Sequence, residues 1–409
     1  MNHVTISEIS IVRKVKVANR VVVAGVGMVP FATPSKSASY DELAEEATHR
    51  ALVDAGIDFS QVQQAYVGYV YGDSTSGQNA LYRVGLTGIP VINVNNNCST
   101  GSTALWLARQ AIDSGSADCV LVLGFEQMQR GALGSVWMDR PSPFQKFDDI
   151  SLKLQGESDA PMAARYFGGA GAAYAAQYGT RPETFAAISV KARRHAANNP
   201  YAVFRDPVSL EEVMASPQVY GPLTRLQCCP PSCGAAAAIL TSEKFARKHG
   251  LRSDVVIRAQ AMATDTDKSF NGDMRNLVGY DMSRAAADQV YEASGVSPQD
   301  IRVAELHDCF TTNELLSYEA LRLTPEGTAE KFINDNNNTY GGQVVVNPSG
   351  GLLSKGHPLG ATGLAQCAEL TWQLRGAADA RQVEGVSLAL QHNIGLGGAA
   401  VVTLYERVS

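Results

Sequence analysis

A thiol and an imidazole open the same short phrase at two places in this chain, Cys98-Ser-Thr-Gly101-Ser-Thr103-Ala-Leu105 and His357-Pro-Leu-Gly360-Ala-Thr362-Gly-Leu364. A cysteine at a helix start meets free N–H groups and the positive end of the helix dipole, which favour a thiolate, and a nearby histidine takes its proton. The pairing points to nucleophilic chemistry, with Cys98 attacking and His357 as its base. Read alone, Cys98 is equally a small buried hydrophobe and His357 a hydrogen-bonded side chain at a tight turn. The polar run Asn95-Asn96-Asn97 before Cys98 and the glycine-rich approach to His357 weigh toward chemistry.

Three further places carry candidate groups. His307 and Cys309 alternate at a strand end, where extended geometry would turn both to one side and suit acid/base work. His392, followed by Gly395, Gly397 and Gly398, could offer an imidazole and backbone N–H donors to a developing oxyanion. Cys228, Cys229 and Cys233 lack a matching CxxC pair or ligand-spaced histidines, so no metal site is expected. Gly25-Val26-Gly27 follows a strand, but Pro30 holds the third glycine position of a dinucleotide turn.

The elements that must position these groups alternate strand and helix. Strands are expected at Val21 to Ala24, Val62 to Val70, Pro90 to Val94 and Cys119 to Leu123, with helices at Tyr40 to Ala55 and from Cys98 to Gly115. This α/β pattern implies a largely parallel, helix-covered sheet. From about Gly131 to Pro222 the texture changes to that of a covering insertion, with helices near Ala163 to Tyr178 and Arg181 to Ala197. The pattern resumes at Ala235 to Leu240. A strand Ile301 to Leu306 delivers His307, a capping box Thr311/Glu314 opens the next helix, and a strand Val386 to Leu390 delivers His392.

A second collinear match supports duplication: Tyr40-Asp41, Ala55-Gly56-Ile57, Val62, Ala65 and Val67 line up with Tyr280-Asp281, Ser294-Gly295-Val296, Ile301, Ala304 and Leu306. The expected division is a first half in residues 1–130 and 230–279, a covering loop domain in 131–229, and a second half in 280–409.

With 409 residues, 45% hydrophobic and 18% charged, the chain can bury large cores and is not of disordered composition. A formal net charge of −6 argues against nucleic acid as a partner. Seven cysteines without framework spacing suggest a reducing compartment. Arg13, Lys14, Lys16 and Arg20 near the start precede no apolar signal region, and no stretch suggests a membrane span. Arg407-Val408-Ser409 is not a peroxisomal address, and a cytoplasmic location is expected.

These motifs together resemble a thiolase, specifically the sterol-carrier-protein-2 type. Cys98-Ser-Thr-Gly101 resembles the nucleophile motif, and Asn347 through Gly363 resembles the signature that holds the Gly-His-Pro histidine. His307-Asp308-Cys309-Phe310 marks the subtype, and His392-Asn393-Ile394-Gly395 stands where most thiolases carry a late Cys-x-Gly. The resemblance runs from about residue 20 to 406. It implies a duplicated thiolase-like fold, two similar halves in a five-layer αβαβα arrangement with an inserted loop domain, and a homodimer.

The resemblance also implies roles. Cys98 attacks the keto carbon of a 3-ketoacyl-CoA, His357 activates it, and Cys309 in place of the absent cysteine protonates the enolate. His307 and His357 bond the thioester oxygen, while the Cys98 amide and one near Gly395 form a second oxyanion hole. Coenzyme A is a substrate that resolves the acyl-enzyme, and no cofactor is implied. Cys229 falls where other thiolases place a pantetheine-facing serine, and Cys233-Gly234 stands where this type commonly has Asp-Gly. The last expected strand, Ala399 to Leu404, lies close to the end of the sequence, so a sterol-carrier function is not expected. The competing readings are a retro-aldol carbon-carbon lyase on the same scaffold and a non-catalytic lipid-binding or scaffold protein.

Overall fold

The computed structural model describes residues 20–129 and 137–408; Arg13, Lys14 and Lys16, the boundary at Gly131 and Ser409 lie outside the described residues. The first half contains β1 (Val21–Met28), β2 (Gln64–Gly68), β3 (Val91–Val94) and β4 (Cys119–Glu126). The covering segment follows with a small hairpin, β5 (Gln218–Tyr220) and β6 (Leu223–Thr224), and then comes β7 (Gly234–Ser242). The second half contains β8 (Val255–Ala263), β9 (Val303–Glu305), β10 (Val345–Val346), β11 (Leu388–Gly395) and β12 (Ala399–Arg407).

Strand order repeats between the halves. It runs β3-β2-β4-β7-β1 in one and β10-β9-β11-β12-β8 in the other, and the two meet where Val22 pairs with Val256. In each half the outer three strands are parallel and the inner two antiparallel. The sheet is thus mixed, not largely parallel. One cause is local: β11 and β12 are joined by the short Gly-rich turn at Gly395, which permits only antiparallel pairing. The strand β8, within residues 230–279, bonds along its length to β12.

Alternation along the strands sorts side chains into layers. In β4, Val120 and Val122 face one core while Cys119, Leu121 and Leu123 face another. The first of these cores holds Leu105, Ala108 and Ile112 of the helix Thr100–Ser114 together with Ala361, Leu364 and Ala365 of the helix Leu359–Arg375, and it also takes Val303 and Tyr405 from the second half. The second lies under the helix Tyr40–Ala55. A third core packs the helices Tyr280–Ser294 and Thr311–Ala320 and the covering helices on the outer face of the second half. Helix, sheet, paired central helices, sheet and helix give five layers.

The duplication is visible in local structure. Gly56 and Gly295 both cap their helices in the left-handed conformation at φ 70°, and a 3-10 turn follows each, at Phe59–Gln61 and Pro298–Asp300. Thr103 and Thr362 occupy the same offset, and each hydroxyl donates back to the carbonyl of residue i−4, Ser99 at 3.1 Å and Pro358 at 3.0 Å.

Two local expectations are corrected. Thr311 and Glu314 do not form a capping box: Phe310 is the cap residue, and Glu314 is buried against Lys191 and Tyr318 and accepts from Asn347 Nδ2. The carboxylate compensates the charge of a buried lysine that would otherwise be stranded. The strand expected to end at Leu390 continues through His392 to Gly395, because all eight of its positions pair with β12.

The central helices cross at their first turns, where neither carries a side chain. A Cβ on Gly101 would lie 2.7 Å from Gly360 O; one on Gly360 would lie 2.3 Å from Phe125 O and 2.5 Å from Gly68 O. Gly360→Ala should therefore destabilise the fold by about 1–3 kcal/mol through forced backbone shifts. A thermal denaturation midpoint equal to that of the unaltered protein would contradict this packing.

Candidate active site

Asn97 shapes the turn that carries Cys98. It takes a left-handed φ of 52°, and its Nδ2 donates to Leu396 O at 3.2 Å, so its Oδ1 faces the thiol and accepts from Cys98 Sγ at 3.5 Å. Cys98 then stands just outside the helix Thr100–Ser114, capped at Ser99. Gly395 lies directly against this turn: a Cβ there would be 2.1 Å from Asn96 O and 2.8 Å from Ser99 Oγ. The late loop approaches Cys98 this closely only because that position is glycine.

His357 comes from the opposing helix start. Thr362 Oγ1 donates to Pro358 O, so it accepts from His357 Nδ1 at 2.7 Å, which leaves Nε2 without its proton. That Nε2 is buried and has no hydrogen-bond partner. His307 packs edge-on to His357, with ring centroids 5.1 Å apart, and its Nδ1 lies 2.8 Å from Asn393 Nδ2. Cys98 Sγ and one ring nitrogen of each histidine all lie within 4.8 Å of one another. A thiol, an open imidazole lone pair and a second imidazole thus converge on one point.

The other expected residues divide. Burial pushes the Cys309 thiol well above the usual cysteine range, with Cys229 and Cys98 beside it raising it further, and its carbonyl accepts from Cys229 N at 2.9 Å. Cys229 therefore belongs to the site wall. Gly395 belongs through its contact with the turn that carries Cys98. His392 is not part of the convergence; it turns to the other face of β11 and bonds Ser283 through Nε2 at 2.8 Å. Period-two alternation instead sends Asn393 toward His307. Cys233 exchanges bonds with the Met128 backbone, its amide N 3.2 Å from the sulfur, in a structural contact.

Burial governs the charges. It pushes the Cys98 thiol up to about 12, helped by the negative Glu126 nearby, although Cys98 itself is only partly buried. It lowers His357 to about 3 and His307 well below the usual histidine range, the latter also disfavoured by neighbouring His357 and His392. The expected thiolate gives way to a neutral thiol beside neutral imidazoles, because desolvation outweighs the helix dipole. Glu126, at the end of β4, accepts from the amides of Tyr71 at 2.9 Å, Gly360 at 3.0 Å and Val70 at 3.2 Å, yet burial still raises it to about 7. It ties the start of the histidine helix to the loop after β2.

The loop carrying His357 is bolted to the end of β9 by residues to which motif reading assigns no role. Asn347 Oδ1 accepts from Leu306 N at 2.8 Å, Glu305 accepts from Ser349 N and Oγ and pairs with Lys355 at 3.2 Å, and Asp308 accepts from Leu352 N at 2.7 Å. Their signal in the sequence was the polar content of an otherwise buried stretch; glycine drew attention first. The covering domain closes the same wall through Phe167 stacked on Phe310 at 5.0 Å.

Residues 21–244 match the thiolase N-terminal domain and residues 263–407 the thiolase C-terminal domain-like family. The chain belongs to the thiolase family. Within it the kinship is to the sterol-carrier-protein-2 type: it is 57% identical to "Sterol carrier protein 2" of Rattus norvegicus, over 95% of this chain and 72% of that protein. It is also 36% identical to "Acetyl-CoA acetyltransferase" of Methanothermobacter thermautotrophicus, over 90% of this chain and 95% of that one. A solved structure described as "Ltp2-ChsH2(DUF35) aldolase" superposes with a TM-score of 0.81 at 26% identity, over 95% of this chain and 98% of its own. Among the described residues no helix is long and apolar enough to cross a membrane.

A neutral Cys98 thiol has a kinetic signature. Its alkylation by iodoacetamide should accelerate steadily between about pH 7 and pH 10, following the thiolate fraction. A rate already level near neutrality would mean that a thiolate exists in the free protein.

Proposed function

We propose that this protein is an acyl-CoA C-acyltransferase that cleaves a 3-ketoacyl-CoA with coenzyme A through an acyl-Cys98 intermediate. The observation that carries the reading is the convergence of Cys98 Sγ with two ring nitrogens within 4.8 Å, the Nε2 of His357 lacking any partner. The substrates fit fatty-acyl, branched or steroid side-chain degradation. Coenzyme A acts as substrate, and no metal or further cofactor takes part.

In the forward step His357 Nε2 takes the Cys98 proton and the sulfur adds to the keto carbon. The oxyanion lies between the amides of Cys98 and Gly395. Collapse breaks the bond to the α-carbon, and the enolate oxygen of the leaving thioester accepts from His307 and from protonated His357. Cys309 gives its proton to the α-carbon, and acetyl-CoA departs. Coenzyme A then loses its thiol proton to Cys309 and takes the acyl group, and His357 returns the first proton to Cys98. A neutral Cys309 thiol, held protonated by burial, suits that acid role.

A retro-aldol lyase, the activity in the name of one structural neighbour, needs no cysteine nucleophile; Cys98 facing an open imidazole favours thiolysis. A scaffold or lipid carrier needs none of these groups. Seven unbridged thiols fit a reducing compartment, which we take to be the cytoplasm. A homodimer is supported by the edge strand β3, where Ile92 is 37% exposed and Tyr82 and Leu86 nearby are 57% and 80% exposed.

Light scattering should give twice the chain mass; a fully active monomer would refute the dimer. Cys309→Ala should still form acyl-Cys98 from a simple acyl-CoA. It should lose thiolysis by about 10²- to 10⁴-fold, together with exchange of the acetyl-CoA α-protons into deuterated water. Near-normal exchange in that variant, with loss in His392→Ala, would move the acid to the C-terminal loop.

A further inference from the structure

Behind His307 runs a buried line of hydrogen bonds whose direction is fixed at one end. Gln391 Nε2 lies 2.7 Å from Gly363 O, and a carbonyl only accepts, so this end of the side chain is the amide nitrogen. Its Oε1 accordingly accepts from Tyr405 OH at 2.5 Å. The second Nε2 hydrogen faces Ser102 Oγ at 2.9 Å, with Gln366 Oε1 farther off at 3.3 Å, and the Ser102 hydroxyl donates onward to Asn393 Oδ1, also at 2.9 Å. That orientation turns Asn393 Nδ2 to His307 Nδ1 at 2.8 Å. An amide nitrogen only donates, so Nδ1 accepts and the ring proton must sit on Nε2.

We propose that Asn393, aligned by Ser102 and Gln391, is a positioning residue that locks His307 as the Nε2–H tautomer and so makes it a hydrogen-bond donor toward the reacting thioester oxygen. Its catalytic consequence rests on the thiolysis reading; the tautomer itself does not. The lock has a second effect. Cys98, His307 and His357 are spaced as three soft-metal ligands would be, and a proton on His307 Nε2 removes one lone pair from that set. The same bond that supplies the donor keeps the site from chelating zinc.

Asn393→Asp tests this while keeping shape and the bond from Ser102, because a carboxylate can only accept and forces the proton to Nδ1. In long-range proton–nitrogen spectra of histidine-labelled protein, with His307 assigned from its loss in His307→Gln, the unaltered chain should show the Nε2–H form and the variant the Nδ1–H form. Thiolysis kcat should fall about 10²- to 10³-fold, the loss typical of one oxyanion donor, with a smaller change in KM. Zinc chloride alone should inhibit iodoacetamide labelling of Cys98 at concentrations at least about tenfold lower in the variant than in the unaltered protein, as a three-ligand site forms. Ser102→Ala frees the Asn393 amide to turn and should give mixed tautomers with an intermediate kcat. An Nδ1–H form in the unaltered protein, or an unchanged tautomer in Asn393→Asp, overturns the proposal whether or not any 3-ketoacyl-CoA is cleaved. A switched tautomer with unchanged kcat overturns the donor role alone.

Discussion

Backbone contact between two helix starts is the constraint on which the rest depends. Gly101 of one half and Gly360 of the other sit at the same offset of the repeated phrase, and their main chains meet with no room for a Cβ. That closeness sets Cys98 and His357 face to face, since each lies just before its helix. A bulkier residue at Gly101 would push the two helix starts, and with them Cys98 and His357, apart. The duplication thus places a thiol and an imidazole, one per copy, across a pseudo-symmetric crossing.

Around that crossing burial favours uncharged side chains. Cys98, Cys309, His307 and His357 are all pushed by burial toward their uncharged forms. The buried pairs Lys355 with Glu305 and Lys191 with Glu314 instead hold the loops from behind. Removing one partner of such a pair leaves an uncompensated charge and is strongly destabilising, by about 3–5 kcal/mol.

Much of this was legible in the sequence. The paired phrases pointed to the facing thiol and imidazole and to the two halves, because helix starts with small residues are written in contiguous residues. Thr362 also stood out by its offset, though its bond to His357 Nδ1 did not. Three features needed the folded chain. Of the antiparallel inner pairings, β1 with β7, β4 with β7 and β8 with β12 join strands far apart in the sequence. Glu314 looked like a capping residue because its buried partner Lys191 lies far off in the chain. His392 stands out in the sequence because imidazole is a reactive group, while a strand's alternation, which sends the Asn393 amide to His307 and the His392 imidazole to Ser283, depends on where the strand ends.

The central claim is that Cys98 carries the acyl group. The direct measurement is peptide mass spectrometry after incubation with a 3-ketoacyl-CoA in the absence of coenzyme A. The account predicts the shortened acyl mass on the peptide containing Cys98, removed on addition of coenzyme A. An acyl mass confined to Cys309, with Cys98 unmodified, would contradict it.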